Sequence, residues 1–327
     1  MEETELSQPG LLSPRQAKRL CEWKSQLNES QTEYEKLPDK GLHFVSFLDT
    51  DYPQRLQNLQ DAPAGLCVLG KLPEDHRPSV AIVGSRGSSA YGEQLTEEYA
   101  AALAAGQVQI ISGLALGIDA SAHRGALRAG GDTFAVLGCG ANFCYPSLNY
   151  PLYEAMKSKG GVLSEFPPDT KPLTHHFPMR NRIISGLSDA VLVVEAKERS
   201  GSLITVGHAL DQGREVFAVP GRVTDHLSAG CNQLIQQGAH MAISPNDILD
   251  YLGVKYQKGL REREKSTNGL AKKEKMLYSC LDFKPKHLDE IIALSGLSPG
   301  ECMGILLELE LSGYVYRSAS HYYGKKL

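Results

Sequence analysis

From Ser79 to Tyr251, short runs of β-branched and apolar residues alternate with longer stretches of mixed polarity, which predicts parallel strands with helices on both faces of a sheet. The predicted strands are Ser79–Val83, Gln109–Ser112, Thr133–Leu137, Gly161–Ser164, Ala190–Glu195 and Glu215–Ala218. Helices of crossover length fit between them at Gln94–Ala105, Asp119–Ala129, Tyr150–Lys157, Met179–Leu187 and Leu203–Gln212. The fold class is therefore α/β, a doubly wound, extended Rossmann-like and mostly parallel sheet. Such sheets bind ligands beyond the C-terminal strand ends, so the residues that follow each strand carry the candidate chemistry.

The flanks read differently. Residues 1–40 form a short helical N-terminal segment, Gly41–Phe47 reads as an edge strand, and Pro53 is placed to open a short helix. The sheet domain is expected over 41–254, followed by a charged linker at 255–269 and a small domain at 270–327. There the pattern is helix (Ala271–Leu281), helix (Leu288–Leu294), a bend at Gly296, helix (Pro299–Ser312), then an alternating run from Tyr314. This is the order of a winged helix. Its third helix carries Glu301, Glu308 and Glu310 and no basic residue, which favours a protein-contact or packing module over duplex recognition.

Composition narrows the class without naming it. With 42% hydrophobic and 22% charged residues in 327, the chain is globular, and its longest apolar runs fall far short of a bilayer span. The acidic start, Met1-Glu-Glu-Thr-Glu, is unlike a signal peptide, so a cytoplasmic protein with no membrane partner is expected. The net charge of −4 divides into −4 over residues 1–78, −4 over 79–250 and +4 over 251–327. Nucleic-acid binding would then depend on a local basic patch. Seven scattered cysteines without a C-x-x-C pair argue against a disulfide framework, and Cys139, Cys144, His175 and His176 match no standard zinc spacing, so no metal is expected.

Several loops are built for anions. Gly84-Ser-Arg-Gly-Ser-Ser-Ala-Tyr-Gly92 enters a helix with Arg86 at its mouth, where a planar guanidinium suits a phosphate. Its glycines do not follow the dinucleotide fingerprint, and the second strand lacks an acidic residue at its end, so NAD is disfavoured. Ser112, Gly113 and Gly117 form the next loop, with Asp119 placed to cap a helix and His123 one turn on; capping and packing are favoured over an acid–base pair. Gly138-Cys-Gly140 adds a third glycine-bearing loop. Ser200, Gly201 and Ser202 again stand between a strand and a helix, while Arg180 and Arg182 straddle Asn181, with Arg182 balanced between a surface role and an internal salt bridge. No P-loop and no G-x-S-x-G elbow occurs, which excludes a P-loop ATPase and leaves an esterase without its nucleophile.

Taken in order, Val83-Gly-Ser-Arg86, Ser112-Gly-Leu-Ala-Leu-Gly-Ile-Asp119, Arg180-Asn-Arg-Ile-Ile-Ser-Gly-Leu-Ser188 and Ser200-Gly-Ser-Leu-Ile-Thr205 resemble the DNA-processing protein A (DprA/Smf) family. Val219-Pro-Gly221 and Gly230-Cys-Asn-Gln-Leu-Ile-Gln-Gln-Gly-Ala239 extend the likeness to residues 42–250, and more loosely to the winged helix. The resemblance implies a non-catalytic protein, without a cofactor, that binds and shields incoming single-stranded DNA in natural transformation and helps load the RecA recombinase. It implies DNA contacts at Ser85, Arg86, Ser112, Gly113, Lys171, Phe177, Arg180, Lys197, Ser200, Gly201 and Ser202, and a homodimer and recombinase surface around Asn232, Ile235 and Met241. The N-terminal 40 residues are short for the helical domain of fuller members. The competing class is a nucleotide N-glycosidic hydrolase with Asp119, Glu165 or Glu195 as its carboxylate, but the P-G-G-x-G-T loop of such enzymes is missing.

Overall fold

The structure, a computed structural model, describes residues 13–25, 31, 33–254, 271–282 and 285–325. The expected linker at 255–269 lies outside the described residues. Nine strands form one sheet in the order β1-β2-β6-β5-β4-β3-β7-β8-β9. These are β1 (His43–Ser46), β2 (Gly65–Gly70), β3 (Ser79–Val83), β4 (Gln109–Ser112), β5 (Thr133–Val136), β6 (Gly160–Ser164), β7 (Ala190–Val193), β8 (Glu215–Ala218) and β9 (His240–Met241). Pairing is parallel from β6 through to β9, and antiparallel where β2 joins β6 and β1 joins β2. The expected edge strand at 41–47 is β1. The sequence pattern missed β2 because its run, Gly-Leu-Cys-Val-Leu-Gly, is buried almost throughout and therefore shows no alternation.

Two helical layers cover the sheet. Within β3, Val80 and Ile82 pack on one face against Tyr99 and Leu103 of α3 (Ala90–Ala105) and Ala122 of α4 (Ile118–Arg128). Ala81 and Val83 pack on the other against Ile183 and Ile184 of α6 (His176–Gly186), Val206 of α7 (Ser202–Asp211) and Leu234 of α8 (Ala229–Gln236). Alternate residues of one strand thus feed opposite cores, which is why the strands read as continuous apolar runs. Helices α1 (Pro14–Ser25), α2 (Gln54–Gln57, opened by Pro53), α5 (Tyr150–Met156) and α9 (Pro245–Tyr251) complete this part of the chain.

Residues 271–325 carry α10 (Lys272–Cys280), α11 (Leu288–Ser295) and α12 (Pro299–Leu311), with a second sheet in the order β10-β12-β11. Strands β11 (Val315–Ala319) and β12 (Tyr322–Lys325) are the wing, and β10 (Lys286–His287) adds a short third strand. Gly296 ends α11 at φ 65°, and α11 meets α12 at 108°, the geometry of a helix-turn-helix. No single helix among the described residues is long and apolar enough to cross a membrane.

Candidate functional site

The chain folds outward from β3. Its neighbour on one side is β4, next in sequence, and on the other β7, reached only after β5 and β6. The loops that follow β3, β4 and β7 therefore part at a topological switch point and leave a crevice, the usual place for a ligand in an open α/β sheet. The crevice is a cleft of about 570 Å³ lined by Ser85, Arg86, Asp119, Phe177, Arg180, Lys197, Ser200, Gly201 and Ser202, among others.

Arg86 is exposed, with its guanidinium carbon 5.3 Å from the centre of the Phe177 ring. Phe177 in turn lies 5.7 Å from the ring of Tyr145. A cation on an aromatic pair offers a phosphate site beside a stacking surface. On the opposite wall Lys197 and Arg199 are exposed, and none of the ion pairs among the described residues uses them or Arg86. Beside them Ser200 and Ser202 share a hydroxyl hydrogen bond of 2.7 Å at the start of α7, and the position of a Gly201 side chain is open space. The α7 N-terminus thus presents polar groups to the cleft.

The other expected anion site, at the start of α3, is already filled by the chain itself. The Glu195 carboxylate accepts the Ser89 amide at 2.9 Å and the Ser89 hydroxyl at 2.5 Å, and the Ser89 hydroxyl caps Gly92. Burial raises the Glu195 pKa, and its bonds from Ser89 pull the other way. This corrects the reading of the 84–92 loop: at the start of α3 the Ser89 and Gly92 amides are bonded within the chain, which leaves the Arg86 side chain as the loop's cation on the cleft wall.

Four further expectations change. Ser112 is fully buried and its hydroxyl donates to the Ile82 carbonyl at 2.6 Å, so it braces two strands and does not line the cleft. Gly113 is buried behind the cleft, with its amide donating to Asp119 at 3.1 Å and its carbonyl accepting from Arg180 at 2.9 Å. Arg180 lines the cleft but is only 4% exposed, and it also donates to the Val136 carbonyl. Burial lowers its pKa to about 10, against the pull of Asp119, so it stays charged at neutral pH. Lys171 is exposed and lies off the cleft wall, on a loop held by the Lys40–Asp169 ion pair and by Asn142.

Asp119 does not bond to His123. It gathers the amides of Gly113 and Ala115 and faces Arg180 and Arg86; burial raises its pKa against all four. Glu165 is taken by Arg182, in a bidentate pair at 2.6 and 2.7 Å to which Asp61 adds a third contact. Arg182 thus has the internal salt-bridge role. Residues the sequence did not single out, Tyr145, Thr174, Asn181 and Arg199, also line the cleft. Arg199 was legible as a charge beside Ser200, whereas Tyr145 lies in a stretch with no strand or helix period. Among the described residues, no group of three His, Cys, Asp or Glu gathers to hold a metal.

Gly117 sets how closely the β3 and β4 loops approach. It has φ 74°, and a Cβ there would lie 2.4 Å from the Ser85 carbonyl. Gly117→Ala is expected to destabilise the protein by about 1–3 kcal/mol and to weaken ligand binding at Arg86, since the strained backbone and the clash both push the two loops apart. Urea unfolding and binding titration check it; an unchanged midpoint would refute it.

His123 is fully buried and bonded through Nδ1 to the Thr133 hydroxyl at 2.7 Å. That hydroxyl donates to the Ile110 carbonyl, so the histidine donates to it through Nδ1–H. Burial, then Arg180 and Arg124, lowers its pKa to about 3. Because the unfolded chain takes up this proton near the ordinary value of about 6.5, stability is fully present above that pH and is lost as pH falls towards the folded value. Between pH 7 and 5 the expected loss is about 2 kcal/mol. A His123→Gln variant whose stability keeps the same pH slope in urea titrations would refute it.

The doubly wound sheet with a cationic and aromatic cleft at its switch point, and the winged helix later in the chain, define a class of two-module α/β protein. The family model described as DNA recombination-mediator protein A matches residues 43–253, and the DprA winged helix domain matches residues 261–320. The chain belongs to the DprA/Smf family. It is 46% identical over 217 residues to DNA processing protein DprA of Streptococcus pneumoniae, covering 66% of this chain and 75% of that one. It is 39% identical over 316 residues to protein Smf of Escherichia coli, covering 95% and 84%. Among solved structures, that of S. pneumoniae DprA superposes with a TM-score of 0.67 at 40% identity over 76% of this chain and 84% of that one. DprA of Helicobacter pylori, whose structure is described for its single-stranded DNA binding mode, superposes with a TM-score of 0.59 at 29% identity over 67% and 99%.

Proposed function

We propose that the cleft binds single-stranded DNA and that the protein acts, without turnover of its own, in processing incoming DNA during natural transformation. The observation that carries this is Arg86, an exposed guanidinium stacked on Phe177 and facing Lys197, Arg199 and the Ser200–Ser202 turn. A flexible strand needs anion sites along its backbone and aromatic faces for its bases, and both stand here within one crevice. The description of the H. pylori relative's single-stranded DNA binding mode supports the reading. Glu165 and Glu195 are each committed to an internal partner, which counts against the hydrolase alternative.

The reading extends to cytoplasmic location, a homodimer and RecA as partner. Met241 is 48% exposed on β9, the edge strand of the sheet paired on one side only, to β8, and Ile235 is half-buried on α8, which suits them to a contact between chains. Asn232 would contribute less, because its amide is bonded both ways to Gly221.

The test is fluorescence anisotropy of a labelled single-stranded oligonucleotide at several salt concentrations, with wild type and Phe177→Leu. Wild-type affinity is expected to fall steeply with salt. The variant, which keeps apolar volume but loses the ring face, should bind about 5- to 10-fold more weakly at every salt concentration. Release of free base from nucleoside monophosphates in place of binding would overturn the proposal.

A further inference from the structure

The third helix of the winged helix, α12, has an exposed face that its own domain does not use. Cys302, Leu306 and Leu309 point into the domain core. On the opposite side Met303 is 49%, Leu307 56% and Leu311 80% exposed, and Leu294 of α11 adds a further exposed apolar side chain. At about 100° per residue, Gly300, Met303, Gly304, Leu307 and Leu311 fall within an arc of about 100°, one continuous ridge. Side chains added at Gly300 or Gly304 would meet nothing within 4 Å. A glycine inside a helix costs about 1 kcal/mol relative to alanine, and no contact among the described residues accounts for Gly304. Close approach by another backbone would.

Charge selects what approaches. On the same projection Glu308 flanks the ridge on one side and Glu310 on the other. Residues 288–312 hold Asp289, Glu290, Glu301, Glu308 and Glu310 and no lysine or arginine; of these Glu301 is paired with Lys273 of α10. A nucleic-acid backbone or an anionic lipid surface would meet like charge at both edges of the ridge. A second copy of the same face would bring glutamates against glutamates. An amphipathic helix whose apolar seam is bracketed by lysine or arginine would bury the leucines and pair both flanks, as in a coiled coil with complementary edge charges.

We propose that the solvent face of α12 is a docking surface for a basic amphipathic helix of a partner protein, and that it is not a surface for DNA. The probe is a synthetic Leu/Lys amphipathic helix of about 18 residues, titrated calorimetrically into the full chain. Controls are a scrambled peptide of the same composition and a Leu/Glu helix. The Leu/Lys helix should bind and the controls should not. Leu307→Gln and the Glu308→Gln, Glu310→Gln pair, all on the exposed face and checked for native circular dichroism, should each weaken binding about tenfold or more. Equal binding of the scrambled peptide, or undiminished binding by both variants, would overturn the proposal. So would phosphatidylserine vesicle binding, duplex DNA binding or self-association that the wild type shows and Leu307→Gln loses.

Discussion

Arg86→Ala is expected to weaken single-stranded DNA binding by about 10- to 100-fold, the equivalent of one lost charge-assisted hydrogen-bond pair to phosphate. The slope of log affinity against log salt should also fall by about 0.7, since one fewer phosphate is neutralised. Stability should change little, because Arg86 is exposed, packs on the Phe177 face and acts on the buried Asp119 only through its charge. Arg86→Lys should recover part of the affinity, since the charge returns without the planar fork. Wild-type affinity in Arg86→Ala would move the DNA path away from this cleft.

Arg180→Met is expected to act in the opposite order, through the fold first and the ligand second. The guanidinium is buried and holds the carbonyls of Gly113 and Val136, while its charge balances the buried Asp119. Removing it orphans two carbonyls and leaves a carboxylate without a facing buried cation, at a cost of about 3 kcal/mol. For a domain of this size that lowers Tm by about 6–12 °C. DNA binding should weaken as a consequence, because Asp119 and Gly113 shape the loop beside Arg86. Adding Asp119→Asn should recover part of the lost stability, so that the two changes together cost less than their sum. An Arg180→Met protein that melts like wild type but fails to bind DNA would make Arg180 a direct contact.

These two arginines show where reading the sequence ends. Arg86 stands in a serine- and glycine-bearing loop and Arg180 within the helix that follows β6, and the family resemblance gives them the same role. Burial separates them, and burial depends on which strands are neighbours. Arg182 likewise finds Glu165 and Asp61 across the domain, and Glu195 reaches the start of α3, more than a hundred residues earlier in the chain. Such pairs leave no periodic trace in the sequence.

Six of the seven strands of the parallel core, all but β9, were legible in the sequence to within a residue or two, as were the three helices and wing of the small domain and the loops that hold Arg86 and Ser200–Ser202, because apolar periodicity and glycine or serine at strand ends are local properties. Long-range packing sets the rest: Ser112 braces two strands, Gly113 and Arg180 are bonded to each other in the cleft wall, Glu195 closes the α3 start, Tyr145 joins Phe177, and β2 and β9 complete the sheet. Each of these depends on side chains far apart in the chain meeting in a core where polar groups must be paired.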